Sequence, residues 1–144
     1  MNSQTGFTLI ELMIVVSIIA ILASVAMPSL ARSRIQANES SAVGNLRTII
    51  SAQMAYASAS FAYAPDFATL TGAAPPFLEG ATWGVASKNG YNFALTGVGS
   101  SFTSTAEPDN YGIDGDRSFF TDHSGVIRYA VGALATAADT PISE

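Results

Sequence analysis

Apolar and polar positions follow three different patterns along the chain. Residues 7–27 are apolar almost without interruption, and Glu11 is the one charged side chain among them. Over residues 30–61 apolar side chains recur every three or four positions, as they do on one face of a helix. Over residues 82–131 they tend to alternate, as in half-buried strands. The pattern predicts an α+β fold with a long N-terminal helix and a C-terminal antiparallel β-meander.

The apolar segment has the length of a membrane span. Its 21 residues would form a helix of about 30 Å, which is the thickness of the hydrocarbon core of a bilayer. Residues 1–6, which precede it, are polar and carry no charged side chain. Because residues 7–28 are apolar on every face, they need lipid or other apolar helices around them. An uncleaved signal anchor is the simplest alternative.

Glu11 sets this segment apart from a plain anchor. A charged side chain costs about 2.5–3.5 kcal/mol at the centre of a membrane helix, and less near its end. Such a residue is a candidate functional site, and two charges in apolar surroundings are tolerated best as a pair. The expected partner is a positive group at the same depth on another chain.

The second pattern predicts an amphipathic helix over residues 29–60. Pro28 lacks a backbone donor and should kink the helix, but the apolar pattern resumes directly after it. Residues 7–59 are therefore expected to form one long, kinked helix. The core-facing stripe is predicted to contain Leu30, Ile35, Ala42, Val43, Leu46, Ile49, Ile50, Met54, Ala57 and Phe61. The solvent face is predicted to contain Arg32, Arg34, Gln36, Glu39, Ser40, Asn45, Arg47 and Gln53.

The rest of the chain is predicted to be a loop followed by about four strands. Proline and glycine punctuate residues 60–80, so a loop with a short helical turn is expected there. Its aromatic residues, Phe61, Tyr63, Phe67 and Phe77, are expected to anchor it. Asn89-Gly90 predicts a hairpin turn between strands at 82–87 and 91–96. Further strands are expected at 100–106, from Phe119, and at 126–131, with turns at 97–99 and 122–125. The amphipathic helix would cover the apolar face of this sheet.

Charge and composition exclude several classes of function. Residues 1–60 carry a net charge of +1 and residues 61–144 carry −6. An acidic outer domain does not suit nucleic acid, whose phosphates need clustered Lys and Arg. The chain has no cysteine, which excludes disulfides and thiolate chemistry.

A metal site and a catalytic histidine are the two other chemistries to weigh. Asp109, Asp114 and Asp116 lie in one glycine-bent loop, where oxygen ligands would suit calcium, with Glu107 and Asp122 as further ligands. The spacing is not that of an EF-hand, and Asp and Gly are also common turn residues. His123, the single histidine, lies in a predicted turn, which predicts a solvated side chain rather than a catalytic one. No enzyme activity and no obligatory cofactor are expected.

The run Gly6-Phe7-Thr8-Leu9-Ile10-Glu11-Leu12, followed by an apolar helix and Pro28, resembles the class III signal of prepilins. This family comprises the type IV pilins and the pseudopilins of type II secretion. The resemblance is specific over about residues 1–35 and general beyond them. Prepilin leaders usually carry Lys or Arg just before the glycine, whereas this one has neither.

The resemblance implies a processing route. A membrane peptidase would cut after Gly6 on the cytoplasmic face, and the new amino terminus at Phe7 would be N-methylated. Glu11 would then neutralise the amino terminus of Phe7 on a neighbouring subunit. The implied architecture consists of a leader at 1–6, a transmembrane and filament-core helix at 7–28, an amphipathic helix at 29–60 and a globular sheet domain at 61–144.

The leading functional hypothesis is a structural subunit of a type IV pilus, which would support adhesion or motility. Its partners would be the lipid bilayer, the prepilin peptidase and methyltransferase, the inner-membrane assembly machinery and further copies of itself in a helical filament. It would lie in the bacterial inner membrane before assembly and in an extracellular pilus afterwards. One alternative is a type II secretion pseudopilin in a periplasmic fibre. The other is a monomeric, membrane-anchored binding domain, which would tolerate loss of Glu11.

Overall fold

The computed structural model describes residues 6–80 and 82–143. In chain order the elements are the helices α1 (Leu9–Ser60) and α2 (Phe67–Thr71) and five strands. The strands are β1 (Tyr91–Val98), β2 (Ser101–Pro108), β3 (Arg117–Asp122), β4 (Arg128–Val131) and β5 (Thr140–Pro141). The five strands form one antiparallel sheet in the order β1-β2-β3-β4-β5. The predicted α+β fold with a long helix and a meander is confirmed.

Helix α1 is a single element of 52 residues. It continues through Pro28, so the chain does not leave the helix at this proline. Contacts between Cα atoms divide the chain into two compact units, Met1–Ser33 and Arg34–Glu144. The second half of α1 therefore belongs to the same unit as the sheet. The predicted domain boundaries at 6/7, 28/29 and 60/61 stay predictions.

One stripe of the second half of α1 faces the sheet, and two polar residues lie on it. The buried residues of the helix are Glu39, Ala42, Leu46, Ile49, Ile50, Ala52 and Gln53. Glu39 and Gln53 were predicted to face solvent, and this prediction was wrong. Glu39 lies three residues before Ala42, and Gln53 lies three residues after Ile50. This spacing puts each of them on the same helix face as its buried neighbour. Leu30, Met54 and Phe61 were predicted to face the core but are exposed.

The sheet presents one apolar face to α1. Its buried side chains alternate along the strands, as in Tyr91 and Phe93 of β1 and Phe102, Ser104 and Ala106 of β2. Pairing brings Phe93 opposite Ala106, and Ala106 opposite Phe119. Aromatic rings thus fill the space between sheet and helix, and the core cluster joins both. This confirms that the amphipathic half of the helix covers the sheet.

The predicted strand at residues 82–87 is wrong. Ala86 N–H donates to the carbonyl of Thr82 at 3.2 Å, so the segment is a tight turn. Gly84 has φ +71°, and a Cβ there would lie 2.8 Å from the ring of Phe67. Trp83 is buried by stacking on Phe67 at 5.7 Å between ring centroids. The burial of the Trp83 ring determines the conformation of residues 82–87, and the alternation of apolar and polar residues gives no sign of it.

The predicted hairpin turn at Asn89-Gly90 is present. It is closed by one isolated antiparallel bridge between Lys88 and Tyr91, and no strand precedes it. Both turn residues have positive φ, 51° and 76°, as a two-residue hairpin turn requires. The fifth strand, Thr140–Pro141, was not predicted. It pairs with Arg128 and Tyr129 of β4. A strand of two residues is too short to show the alternation of apolar and polar side chains that predicts strands.

Aromatic residues fix the loop after α1, as predicted, with one exception. Tyr63 packs on Phe102 at 4.8 Å and Phe77 packs edge-on against Tyr56 at 5.4 Å. Phe61 is instead 96% exposed and has φ +57°. The left-handed backbone that ends the helix points its ring away from the core.

Candidate functional site: the N-terminal motif and the helix it opens

The peptide bond between Gly6 and Phe7 lies outside any helix. Both residues are exposed, and the Phe7 side chain keeps 91% of its surface accessible. A Cβ added at Gly6 would meet no atom within 4 Å. Helix α1 starts two residues later, at Leu9. The bond is therefore exposed and lies outside the hydrogen-bonded turns of α1. The predicted leader residues 1–5 lie outside the described residues.

Glu11 closes the first turn of α1 in a capping box with Thr8. The carboxylate accepts hydrogen bonds from the Thr8 backbone N–H at 2.8 Å and from its hydroxyl at 2.7 Å. In return the hydroxyl of Thr8 accepts from the Glu11 N–H at 3.2 Å. This is the reciprocal pattern of Thr and Glu three residues apart at a helix start. The role of Thr8 was not predicted, although the spacing Thr-x-x-Glu signals it.

The capping box gives Glu11 a role within its own chain. A glutamate at this position has a local use in the single chain, because it satisfies the backbone N–H of Thr8, the N-cap residue of α1. It also leaves the carboxylate on an exposed helix end, open to a further positive group. The pairing of Glu11 with the amino terminus of Phe7 on another subunit stays a prediction.

The first half of α1 exposes apolar side chains on all sides. Large residues from Leu9 to Leu30 keep between 49% and 76% of their surface accessible. By length and composition α1 contains one segment able to cross a membrane, with a mean hydropathy of 2.7 and no part of that segment buried. Isolated patches on soluble monomers rarely exceed a few hundred Å². An apolar surface around 22 successive residues needs lipid or other helices.

A buried carboxylate joins the second half of α1 to the sheet. Glu39 Oε1 accepts from the backbone N–H groups of Asp116 and Arg117 at 3.0 and 3.1 Å. Its other oxygen, Oε2, lies 2.8 Å from Nε and 2.7 Å from Nη2 of Arg117. The Glu39 side chain is 6% exposed and that of Arg117 is 40% exposed. This clamp fixes the start of β3, and the loop before it, on the helix.

Tyr91 supports the same junction from the sheet. Its hydroxyl donates to the carbonyl of Arg117 at 2.7 Å. Burial raises the pKa of this phenol, and the negative charge of Glu39 adds to the effect, so the group stays a neutral donor. A Cβ on Gly115 would lie 2.0 Å from the Tyr91 hydroxyl oxygen. Gly115 is therefore required because the Tyr91 hydroxyl leaves no room for a side chain.

Gln53 forms a second buried polar link at the other end of the packed helix. Its amide donates to the carbonyl of Ala64 at 3.0 Å and accepts from the Ala64 N–H at 2.8 Å. Both hydrogen-bonding groups of a buried backbone unit are thereby satisfied, as burial requires. Gln53 has no accessible surface.

Two carboxylates of the acidic loop between β2 and β3, those of Asp109 and Asp114, are bound by different side chains. Asp109 accepts from the side chains of Ser87 and Asn92, and Asp114 accepts from Asn110 at 2.8 Å. Asp116 contributes its backbone to the clamp. Within residues 6–80 and 82–143, no three His, Asp or Glu side chains are grouped so as to hold a metal ion. Calcium binding by Asp109, Asp114 and Asp116 stays a prediction.

His123 lies exposed in the turn between β3 and β4. The turn is closed by the Gly125 N–H on the Asp122 carbonyl at 2.9 Å, and the Asp122 side chain accepts from the Ser124 N–H at 2.8 Å. The carboxylate of Asp122 is thus used to stabilise the turn. This geometry confirms the predicted turn at 122–125.

The N-terminal segment of the chain is similar to a known protein family. The family pattern of the prokaryotic N-terminal methylation motif matches residues 1–27. The matched range contains Gly6, Phe7 and Glu11 and most of the apolar half of α1. The resemblance to prepilin signals is thereby confirmed for this segment.

Particular relatives extend the likeness beyond the motif. The chain is 46% identical over 70 residues to the type IV major pilin protein PilA of Myxococcus xanthus, which is 49% of this chain and 31% of that protein. It is 45% identical over 56 residues to the type IV wide pilus major component PilA4 of Thermus thermophilus, 39% of this chain and 43% of the relative. It is 69% identical over 29 residues to a fimbrial protein of Moraxella nonliquefaciens, 20% of this chain and 19% of the relative.

The chain therefore spans less than half the length of each of these curated relatives. Their names are those of pilus or fimbrial components and not of enzymes.

Proposed function

We propose that this chain is a structural subunit of a type IV pilus, inserted in the bacterial inner membrane before assembly. The observation that carries the proposal is the first half of α1. It is apolar and exposed on every side, it carries Glu11 in its first turn, and it begins just after an accessible Gly6–Phe7 bond. The methylation motif over the same residues and the pilin names of the relatives support the proposal.

Processing would take place at Gly6–Phe7. A prepilin peptidase and methyltransferase would remove residues 1–6 at the cytoplasmic face and methylate the amine of Phe7. The non-helical, exposed conformation of this bond supports such a reaction. The apolar helix would remain, and residues 7–28 would hold the subunit in the bilayer.

Assembly would exchange lipid contacts for contacts between subunits. The inner-membrane assembly machinery would move the subunit into a growing helical filament whose core is made of residues 7–28. Residues 29–60 and the sheet domain at 61–144 would form the outer layer of the pilus. The Glu11 carboxylate, exposed on its helix end, would pair with the methylated amine of Phe7 on a neighbouring copy.

Two variants separate this pairing from the capping box. Glu11→Gln keeps a side chain that can cap the helix but removes the charge. Thr8→Ala removes the capping partner but keeps the charge. The pairing hypothesis expects Glu11→Gln to abolish filaments while the subunit stays in the membrane, and Thr8→Ala to assemble. Filaments from Glu11→Gln together with failure of Thr8→Ala would show that Glu11 acts only as a cap.

The function itself is tested by intact-mass analysis of the protein from membranes and from material sheared off the cell surface. A mass matching residues 7–144 with one added methyl group, in the sheared fraction, is the expected result. The same mass confined to the envelope would favour a pseudopilin of a periplasmic fibre. A full-length mass from Met1 in functional material would favour an anchored domain and contradict the proposal.

A further inference from the structure

Two arginines directly after the apolar half of α1 carry charges that nothing in the described chain balances. Arg32 and Arg34 are the only charged residues between Leu12 and Asn38. Both are exposed. Within residues 6–80 and 82–143 neither guanidinium has a hydrogen bond or ion pair, and the next carboxylate along the helix, Glu39, is held by Arg117.

Their distance along the helix places both within reach of the headgroup layer of a bilayer. Residues 7–28, the proposed span, number 22 and correspond to about 33 Å of helix, which matches a hydrocarbon core of about 30 Å. The Cα atoms of Arg32 and Arg34 follow about 6 and 9 Å beyond its end. The headgroup layer on each side is about 5–7 Å thick. Because long arginine side chains near a helix end extend toward the interface, both guanidinium groups reach lipid phosphates when the apolar half is embedded.

Their directions around the helix distinguish lipid from a protein partner. Residues two apart on an α-helix are separated by about 200° of rotation around the axis, so their side chains point to nearly opposite sides. A single protein surface docked on α1 would meet Arg32 or Arg34, but not both. A headgroup layer surrounds the helix and meets both at once.

We propose that Arg32 and Arg34 form a collar that binds the headgroups of anionic phospholipids in the leaflet at the C-terminal end of the membrane span. The inference rests on the proposed function, because it needs the apolar half to be embedded before assembly. The collar holds the membrane span at a fixed depth. Incorporation into a filament then requires these lipid contacts to be released.

Native mass spectrometry of the full chain in neutral detergent tests the proposal, with phosphatidylglycerol or phosphatidylcholine as the titrated lipid. About 1 kcal/mol per arginine near an anionic surface corresponds to about fivefold in affinity. We expect Arg32→Gln and Arg34→Gln each to weaken phosphatidylglycerol binding about fivefold, with phosphatidylcholine unchanged. Lysine at both positions should retain the preference. Arg128→Gln is the matched control, because Arg128 donates to the Asp139 carbonyl within the sheet domain.

Equal binding of the two lipids by the unaltered chain would overturn the proposal, as would an undiminished preference in the double glutamine variant. If the double variant binds lipid normally but is missing from sheared filaments, the arginines contact a neighbouring subunit and not lipid, which also overturns the proposal. Flotation with vesicles of the same two lipids separates this failure from that of the proposed function. A chain that does not float with vesicles contradicts membrane residence, whereas one that floats without lipid preference contradicts the collar alone.

Discussion

The carboxylate clamp between α1 and the sheet gives the sharpest prediction about stability. Glu39→Ala removes one acceptor oxygen from two backbone N–H groups and the other from the guanidinium of Arg117. These four contacts hold the beginning of β3 and the loop before it. We expect the sheet domain to lose stability while the first half of α1 is unaffected.

The size of the loss follows from the burial of the two partners. Breaking a fully buried ion pair costs about 3–5 kcal/mol. Here the Arg117 side chain is 40% exposed, and Asp116 lies at the surface, so water can replace part of what is lost. We therefore expect a loss of about 2–3 kcal/mol, or about 30- to 150-fold in the unfolding equilibrium.

Urea unfolding of the full chain in detergent measures this loss through the fluorescence of Trp83. It is the single tryptophan, 6% exposed and stacked on Phe67. Glu107→Ala is the control, because Glu107 is exposed and should change stability by less than about 0.5 kcal/mol. A similarly small change for Glu39→Ala would refute the reasoning. So would strict additivity with Arg117→Ala in a double-mutant cycle, since contacting residues should couple.

Two glycines and an exposed carboxylate give further predictions. Gly97→Ala should destabilise the sheet domain by about 1–3 kcal/mol, because its Cβ would lie 2.1 Å from the carbonyl oxygen of Ala64. Gly44→Ala, in the helix with no atom near the new Cβ, should stabilise by about 0.5–1 kcal/mol in the same titration. Hydrogen bonds from the Thr69 hydroxyl and then its N–H lower the pKa of Asp66 below its ordinary value of 3.8. Stability from this helix cap should be present above pH 3.8 and lost as the pH falls through the lower folded pKa. Asp66→Asn should cap α2 without that acid dependence, and an equally steep acid transition in this variant would contradict it.

Much of the fold follows from local patterns. The apolar run, the three-to-four spacing after Pro28 and the alternation from Tyr91 to Leu95 predicted the long helix and the meander. These features depend on which face of an element is apolar, and neighbouring residues carry that information. The same holds for the turns at Asn89-Gly90 and at 122–125, whose residue types fix the backbone locally.

The errors occur where distant parts of the chain meet. Residues 82–87 alternate like a strand, yet the burial of Trp83 against Phe67 and Phe93 makes them a turn. Glu39 and Gln53 were assigned to solvent because of their polarity. Each is buried because one particular partner, Arg117 or the backbone of Ala64, satisfies its hydrogen bonds.

The sequence by itself determined which part of the chain needs lipid or other helices, where the motif Gly6-Phe7 and Glu11 lies, and where the sheet begins and turns. Only the tertiary structure decided that Glu39 is the clamp on Arg117, that Gln53 binds the backbone of Ala64, and that Asp109 accepts from Ser87 and Asn92. The physical reason is the range of the interactions. Apolar periodicity is a property of adjacent residues, whereas the partner of a buried polar group is found only when segments far apart in the chain pack together.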